Sequence, residues 1–148
     1  MTYQSTKTYG HEQGFSCAFR QWRAAGHCSK NHGYSLGFKF VFEGELDDKN
    51  WVCDFGDLKE LKEQLKESFD HRTLVSVDDP HINWFFEAHA LGIIDILVLE
   101  SVGCEMFAKY AYDLAHNIIS KKYEGRVRVV SCEVAEHGAN SAIYLGAK

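Results

Sequence analysis

Tyr34, Leu36, Phe38, Phe40 and Phe42 fall on every second position of one run, alternating with smaller or polar residues such as Ser35, Gly37 and Lys39. A period of two sets five large apolar side chains on one face of an extended chain, and that face needs another layer to cover it. Phe15, Cys17 and Phe19 repeat the pattern against Ser16, Ala18 and Arg20, so two half-buried strands are expected early in the chain. The period then changes. After Asp57, the residues Leu58, Leu61, Leu65 and Phe69 are spaced by three, four and four, with Lys59, Glu60, Lys62, Glu63, Lys66 and Glu67 on the other side. That spacing predicts an amphipathic helix lying on the surface of the domain. A second long helix is expected from Gly103 to Tyr123, with Cys104, Phe107, Ala108, Ala111, Ala115, Ile118 and Ile119 as its apolar stripe and Gly125 as its stop signal. Arg126–Val134 and Asn140–Leu145, split by His137-Gly138-Ala139, read as a closing hairpin. Between the helices, Asp78-Asp79-Pro80 reads as the start of a short aromatic helix through Trp84, Phe85 and Phe86, followed by a short strand, Ile94–Leu99. The order of strands, helices and strands predicts an α+β fold.

With 148 residues, 45% of them hydrophobic, a single domain over 1–148 is expected, carrying an insertion at about 76–98 between the long helices. Ten Phe, seven Tyr and three Trp supply a core that needs no disulfide staples. One Pro and no Ser/Gly-rich stretch leave no linker, and no internal repeat is present. Ile93–Leu99 is interrupted by Asp95 and falls short of the roughly 20 residues of a membrane span. Met1-Thr-Tyr-Gln-Ser-Thr-Lys lacks the apolar core of a secretory signal, so a cytoplasmic protein is expected. The five cysteines are widely spread without a C-x-x-C, which fits that compartment and implies no disulfide framework. A net charge of −5 without a basic run argues against a generic nucleic-acid surface and for a small-molecule partner.

Cys28 precedes His32 by four residues, near the start of a strand. A thiolate there, its pKa lowered by an imidazolium, by Lys30 or by a metal, would serve as nucleophile or base; taken alone, Cys28 reads equally as a small buried hydrophobe. Asp70-His71 follows the first helix, where a carboxylate orients an imidazole for proton transfer or the pair simply decorates a helix end. Adjacent side chains seldom pair directly, which weakens the first reading. Glu105 sits in the first turn of the second helix and Glu136 where the last strands turn. Either is compatible with a structural role, and either carboxylate would also accept two parallel N–H donors from the edge of a pterin or guanine ring.

Taken together, these strings resemble the 6-pyruvoyl-tetrahydropterin synthase and 6-carboxytetrahydropterin synthase family over most of the chain. Phe15-Ser16-Cys17-Ala18-Phe19-Arg20 is similar to its F-S-A-A-H-R strand, and Cys28-Ser29-Lys30-Asn31-His32-Gly33-Tyr34 to its C-x-x-x-H-G-H segment. Trp51-Val52-Cys53-Asp54-Phe55-Gly56-Asp57-Leu58-Lys59 resembles G-M-V-x-D-F-x-x-L-K, and Phe69-Asp70-His71-Arg72-Thr73-Leu74 resembles L-D-H-x-x-L. Val102-Gly103-Cys104-Glu105 stands where the family has P-T-x-E, and Glu136-His137 where it has E-T, with Tyr144 eight residues on. The resemblance implies the T-fold, or tunnelling fold: an antiparallel four-stranded sheet with two long helices on one face. It implies assembly into a homo-oligomeric barrel, a trimer or a hexamer of two trimers, with sites between subunits. It implies a lyase acting on 7,8-dihydroneopterin triphosphate, on a route to pterins or to queuosine-type deazapurines. Cys28 would be the proton-abstracting thiolate, Asp70 and His71 the acid/base relay, Glu136 the ring anchor and Glu105 a second ring contact. It also implies zinc held by three His, but those positions read Phe19, His32 and Tyr34, so one family ligand remains. Tyr34 shares strand parity with His32 and is expected to point into the same pocket, free to hydrogen-bond a substrate. A replacement metal set from His11, His27, Cys28 and His32 is conceivable but not demanded by their spacing. The runner-up reading is a non-catalytic or zinc-independent T-fold protein that binds a pterin or purine.

Overall fold

A computed structural model describes residues 1–147. Strands β1 (Tyr3–Tyr9) and β2 (Phe15–Phe19) lie end to end along the long β3 (His32–Gly44), from Tyr3↔Gly44 to Tyr9↔Phe38 and from Phe15↔Leu36 to Phe19↔His32. A turn of 3-10 helix, His11–Gln13, closed by Gly14 at φ 74°, joins them. Helix α1 (Lys59–Phe69) leads to β4 (Arg72–Ser76), α2 (Ile82–Ala90) and β5 (Ile96–Leu99). Helix α3 (Cys104–Tyr123) precedes the hairpin of β6 (Val127–His137) and β7 (Asn140–Leu145).

Leu36, Phe38, Phe40 and Phe42 are fully buried, and α1 and α3 cover their face: Phe38 meets Phe69 at 5.0 Å between ring centroids, and Phe69 meets Phe107 at 5.6 Å. Burial of each such side chain contributes roughly 1.5–3 kcal/mol, so this one cluster dominates the stability. Tyr123 fastens the two helices together, its hydroxyl donating to Asp57 (2.7 Å) and accepting from the Asp54 amide (3.0 Å).

The sheet is seven-stranded and mixed, in the order β5-β4-β2-β3-β6-β7 with β1 also on β3, where an antiparallel four-stranded sheet was expected. Two strands escape the periodicity argument for opposite reasons. In β1 only Tyr9 is buried, because the strand has one neighbour and needs no apolar alternation. In β4 the residues Thr73 to Ser76 are all buried, because the strand pairs in parallel with both β2 and β5, and a central parallel strand carries no alternation either. The 76–98 segment is therefore mostly a β-α-β crossover that widens the sheet, and α2 begins at Ile82 rather than at the Asp78-Asp79-Pro80 turn. The expected strand Ile94–Leu99 begins at Ile96.

The first long helix opens with a 3-10 turn, Phe55–Leu58, capped by Asp54, whose carboxylate accepts from the Gly56 amide at 2.8 Å; Asp57 is inside that turn. The second stops at Glu124, already left-handed at φ 49°, one residue before Gly125 at φ 90°. Among the described residues, no helix is long and apolar enough to cross a membrane.

Candidate functional site

A cleft of about 230 Å³ opens where the end of β2, the start of β3, the first turn of α3 and the β6–β7 hairpin meet. Cys28 reaches it from a 3-10 turn, Gly26–Ser29, and His32 and Tyr34 from the first and third positions of β3. The two rings share a face, with centroids 5.2 Å apart, as strand parity requires. Glu105 enters from the first turn of α3, where the helix dipole favours an anion. Glu136 enters by a different device: the β6–β7 register passes from Ala135↔Ser141 to His137↔Asn140, leaving Glu136 as the unpaired residue of a bulge. A bulge re-aims one side chain without disturbing the rest of the strand. A larger hollow of about 380 Å³ lies beside Tyr3, Trp51 and Phe55, but its one carboxylate, Asp54, caps the turn before α1.

The cleft is acidic, for among the described residues its lining holds Glu105 and Glu136 and neither lysine nor arginine. Burial, then the charge of Glu136, raises the Tyr34 phenol, which therefore stays a neutral O–H at physiological pH. Burial first and Glu136 second push the Cys104 thiol to about 12. Cys17, Cys53 and Cys132 are likewise buried and raised, so among the described residues Cys28 is the exposed cysteine. Thiol chemistry in this chain falls to Cys28 by access alone. The His32 Nδ1 lies 2.6 Å from the Lys30 carbonyl, which can only accept, so Nδ1 carries a proton there.

Asp70 and His71 are not brought into this cleft; they lie in a separate open hollow with Lys66 and Arg72. They do pair with each other, Nδ1 to Oδ1 at 2.8 Å, although adjacent side chains seldom do. The reason is local: His71 adopts φ 59°, which folds its ring back over the preceding carboxylate, and the turn is pinned by its amide donating to the Ser16 carbonyl at 2.6 Å. His71 is left 87% exposed. Gly103, within the string that carries Glu105, also lines the cleft, as do Gln21, Asn140 and Ser141, which no local pattern in the sequence marks as site residues.

The sequence profile of the 6-pyruvoyl tetrahydropterin synthase family matches residues 9–147. The chain belongs to this family. No curated protein matches it in sequence. Among solved structures, an uncharacterised protein of Wolinella succinogenes is 21% identical with a TM-score of 0.83, covering 99% of both chains. The 6-pyruvoyl tetrahydropterin synthase of Plasmodium falciparum is 16% identical with a TM-score of 0.71, over 97% of this chain and 96% of that one. That of Caenorhabditis elegans is 18% identical with a TM-score of 0.64, over 99% and 96%. These likenesses establish a shared fold.

The residues present do not fit the three-histidine zinc that the family resemblance implies. The three positions do converge, Phe19 lying 5.8 Å from His32 and 6.0 Å from Tyr34 between ring centroids. Phe19, however, has no lone pair to give, is only 2% exposed and packs edge-on against Phe107 at 4.9 Å. Tyr34 is a phenol held neutral, a poor ligand. The alternative set does not assemble: His11 and His27 stay outside the cleft, and the His11 Nδ1 is taken by the Ser35 carbonyl at 2.5 Å. Among the described residues, no group of three or more His, Cys, Asp or Glu is placed to hold a metal ion.

Proposed function

We propose that this protein is a pterin-transforming lyase of its family, of the 6-carboxytetrahydropterin synthase type, acting on 7,8-dihydroneopterin triphosphate without the three-histidine zinc. The observation that carries this reading is the convergence of Cys28, Glu105 and Glu136 on one cleft. A pterin edge presents a ring N–H beside an amino group, two donors that carboxylates accept side by side. Glu136 anchors that edge at the amino group, Glu105 makes a second ring contact at the ring N–H, and Cys28 as thiolate removes a proton from the side chain at C6. Tyr34, kept neutral, donates a hydrogen bond to a side-chain oxygen.

The cleft of one protomer is incomplete for this task. Among the described residues it lacks the Asp70–His71 relay and a lysine or arginine for a triphosphate, and Lys66 and Arg72 stand beside that relay in its own hollow. A homo-oligomer, trimer or hexamer, in which a second copy presents its Asp70–His71 hollow to the cleft, supplies both needs.

Phe19 favours a second reading, in which the cleft binds a pterin or purine and no longer turns it over. Incubating enzyme with excess 7,8-dihydroneopterin triphosphate and following triphosphate release by phosphate analysis and the ring product by mass spectrometry separates the two. The lyase reading expects many turnovers for wild type and none for Cys28→Ala, which still binds pterin. Turnover unchanged in Cys28→Ala overturns it, and tight binding without turnover by wild type establishes the second reading.

A further inference from the structure

Gln21, the second residue after β2, takes up room that belongs to another residue's side chain. Gly103, at the N-terminus of α3, has φ 121°, a conformation reserved for glycine, and a Cβ built there would lie 2.5 Å from the Gln21 Nε2. The same point lies 3.8 Å from a carboxylate oxygen of Glu105. The chain has therefore placed an amide N–H donor and a carboxylate acceptor around a single spot on the cleft wall. Gln21 is held there by one of its two N–H groups, which donates to the Val102 carbonyl at 2.6 Å. Among the described residues its second N–H has no protein partner, while Gln21 lines the cleft. Of the other amide and hydroxyl donors of the lining, Ser141 donates to Glu133 at 2.7 Å, the Asn140 amide lies 3.3 Å from the His137 Nε2, and the Tyr34 hydroxyl is assigned above to a side-chain oxygen.

We propose that Gln21 is a specificity-determining residue that reads the ring carbonyl of a lactam edge, donating its second N–H to the C=O while Glu105 accepts the adjacent ring N–H. This rests on the ring-binding reading above and goes beyond it by fixing which ring substituent at C4 the cleft selects. A 4-oxo ring offers acceptor then donor along that edge and matches the amide and carboxylate; a 4-amino ring offers donor then acceptor and meets each with its like. A site built to pair a polar group discriminates against the ligand that leaves its own groups unpaired.

The test compares pterin with 2,4-diaminopteridine by calorimetry, on wild type and on Gln21→Leu, which fills the same space without donors. Wild type is expected to prefer pterin. Gln21→Leu is expected to bind pterin roughly tenfold more weakly and to leave 2,4-diaminopteridine unchanged or improved, so that the preference shrinks by at least that factor. Both ligands weakened together with the ratio unchanged would mean a general loosening of the cleft and would overturn the carbonyl-reading role. Should Gln21→Leu fail to fold, Gln21→Met, closer in length, carries the same comparison. Pterin affinity and ratio both unchanged in the variant overturn the assignment to Gln21 while leaving the ring reading intact. No binding of either ligand by wild type overturns the ring reading itself, and equal affinity of wild type for the two overturns the carbonyl-reading role.

Discussion

Phe19 and Tyr34 decide more about this site than the residues that match the family, because each puts an aromatic ring where the resemblance expects an imidazole. Their rings and that of His32 lie 5.2 to 6.0 Å apart, so the backbone still brings the three positions together. The double variant Phe19→His/Tyr34→His is therefore expected to gain close to one zinc per chain by mass spectrometry after metal-free purification and reconstitution, with wild type gaining far less. Without metal it should be less stable by about 1–3 kcal/mol, since an imidazole at the buried Phe19 position loses apolar contact with Phe107 and needs a hydrogen-bond partner. Glu136→Gln removes the charge from the bulge while keeping its shape. A charge-assisted hydrogen bond is worth about 1.5–3 kcal/mol, so pterin affinity should fall by roughly ten- to a hundredfold in a calorimetric titration.

At the scale of elements, the cleft depends on a clasp just behind the turn that carries Cys28. Arg20, just past β2, grips Asp79 through two hydrogen bonds of 2.7 and 2.8 Å, and its remaining amino group donates to the Ser29 carbonyl at 3.1 Å. One guanidinium thus ties the β4–α2 connection to the turn that carries Cys28. The Asp79 side chain is 2% exposed, and Asp79→Ala leaves Arg20 facing a vacated polar site. The expected cost is about 2–4 kcal/mol in urea denaturation. The hydrogen bond from Arg20 holds Asp79 below its ordinary value of 3.8, against the opposing effect of burial. A carboxylate lowered in the folded state adds stability that is complete above its unfolded pKa and is lost as pH falls through the folded one. Wild type should therefore lose part of its margin over Asp79→Ala below about pH 4, when denaturation midpoints are measured across the acid range. The helix layer has its own keystone: Phe69→Ala, which empties a fully buried ring position between Phe38, Phe107 and Tyr110, should cost about 3–5 kcal/mol.

At the scale of the whole molecule, Cys28 and the Asp70–His71 pair occupy different hollows of the protomer. If catalysis needs both, a site shared between copies makes them complementary in trans. Cys28→Ala and His71→Ala are each expected to be inactive alone, and co-refolding the two should restore a substantial fraction of wild-type turnover; no recovery would place the relay outside the reaction. The sequence by itself determined the strands β2, β3, β6 and β7 and the two long helices, because a buried face imprints a period of two or 3.6 on the residues that form it. It also marked Cys28, His32, Tyr34, Glu105 and Glu136, because ordered strings resembling a family carry those positions together. Strands β1 and β4 stayed hidden, the first with Tyr9 as its one buried residue and the second buried on both faces, so neither has an apolar alternation to show. The separation of Asp70–His71 from Cys28, the edge-on packing of Phe19 against Phe107, and the meeting of Gln21 with Gly103 were decided only by the tertiary structure. Each is a relation in space between segments tens of residues apart, set by strand register, a bulge and a left-handed turn, and such relations leave no periodic trace along the chain.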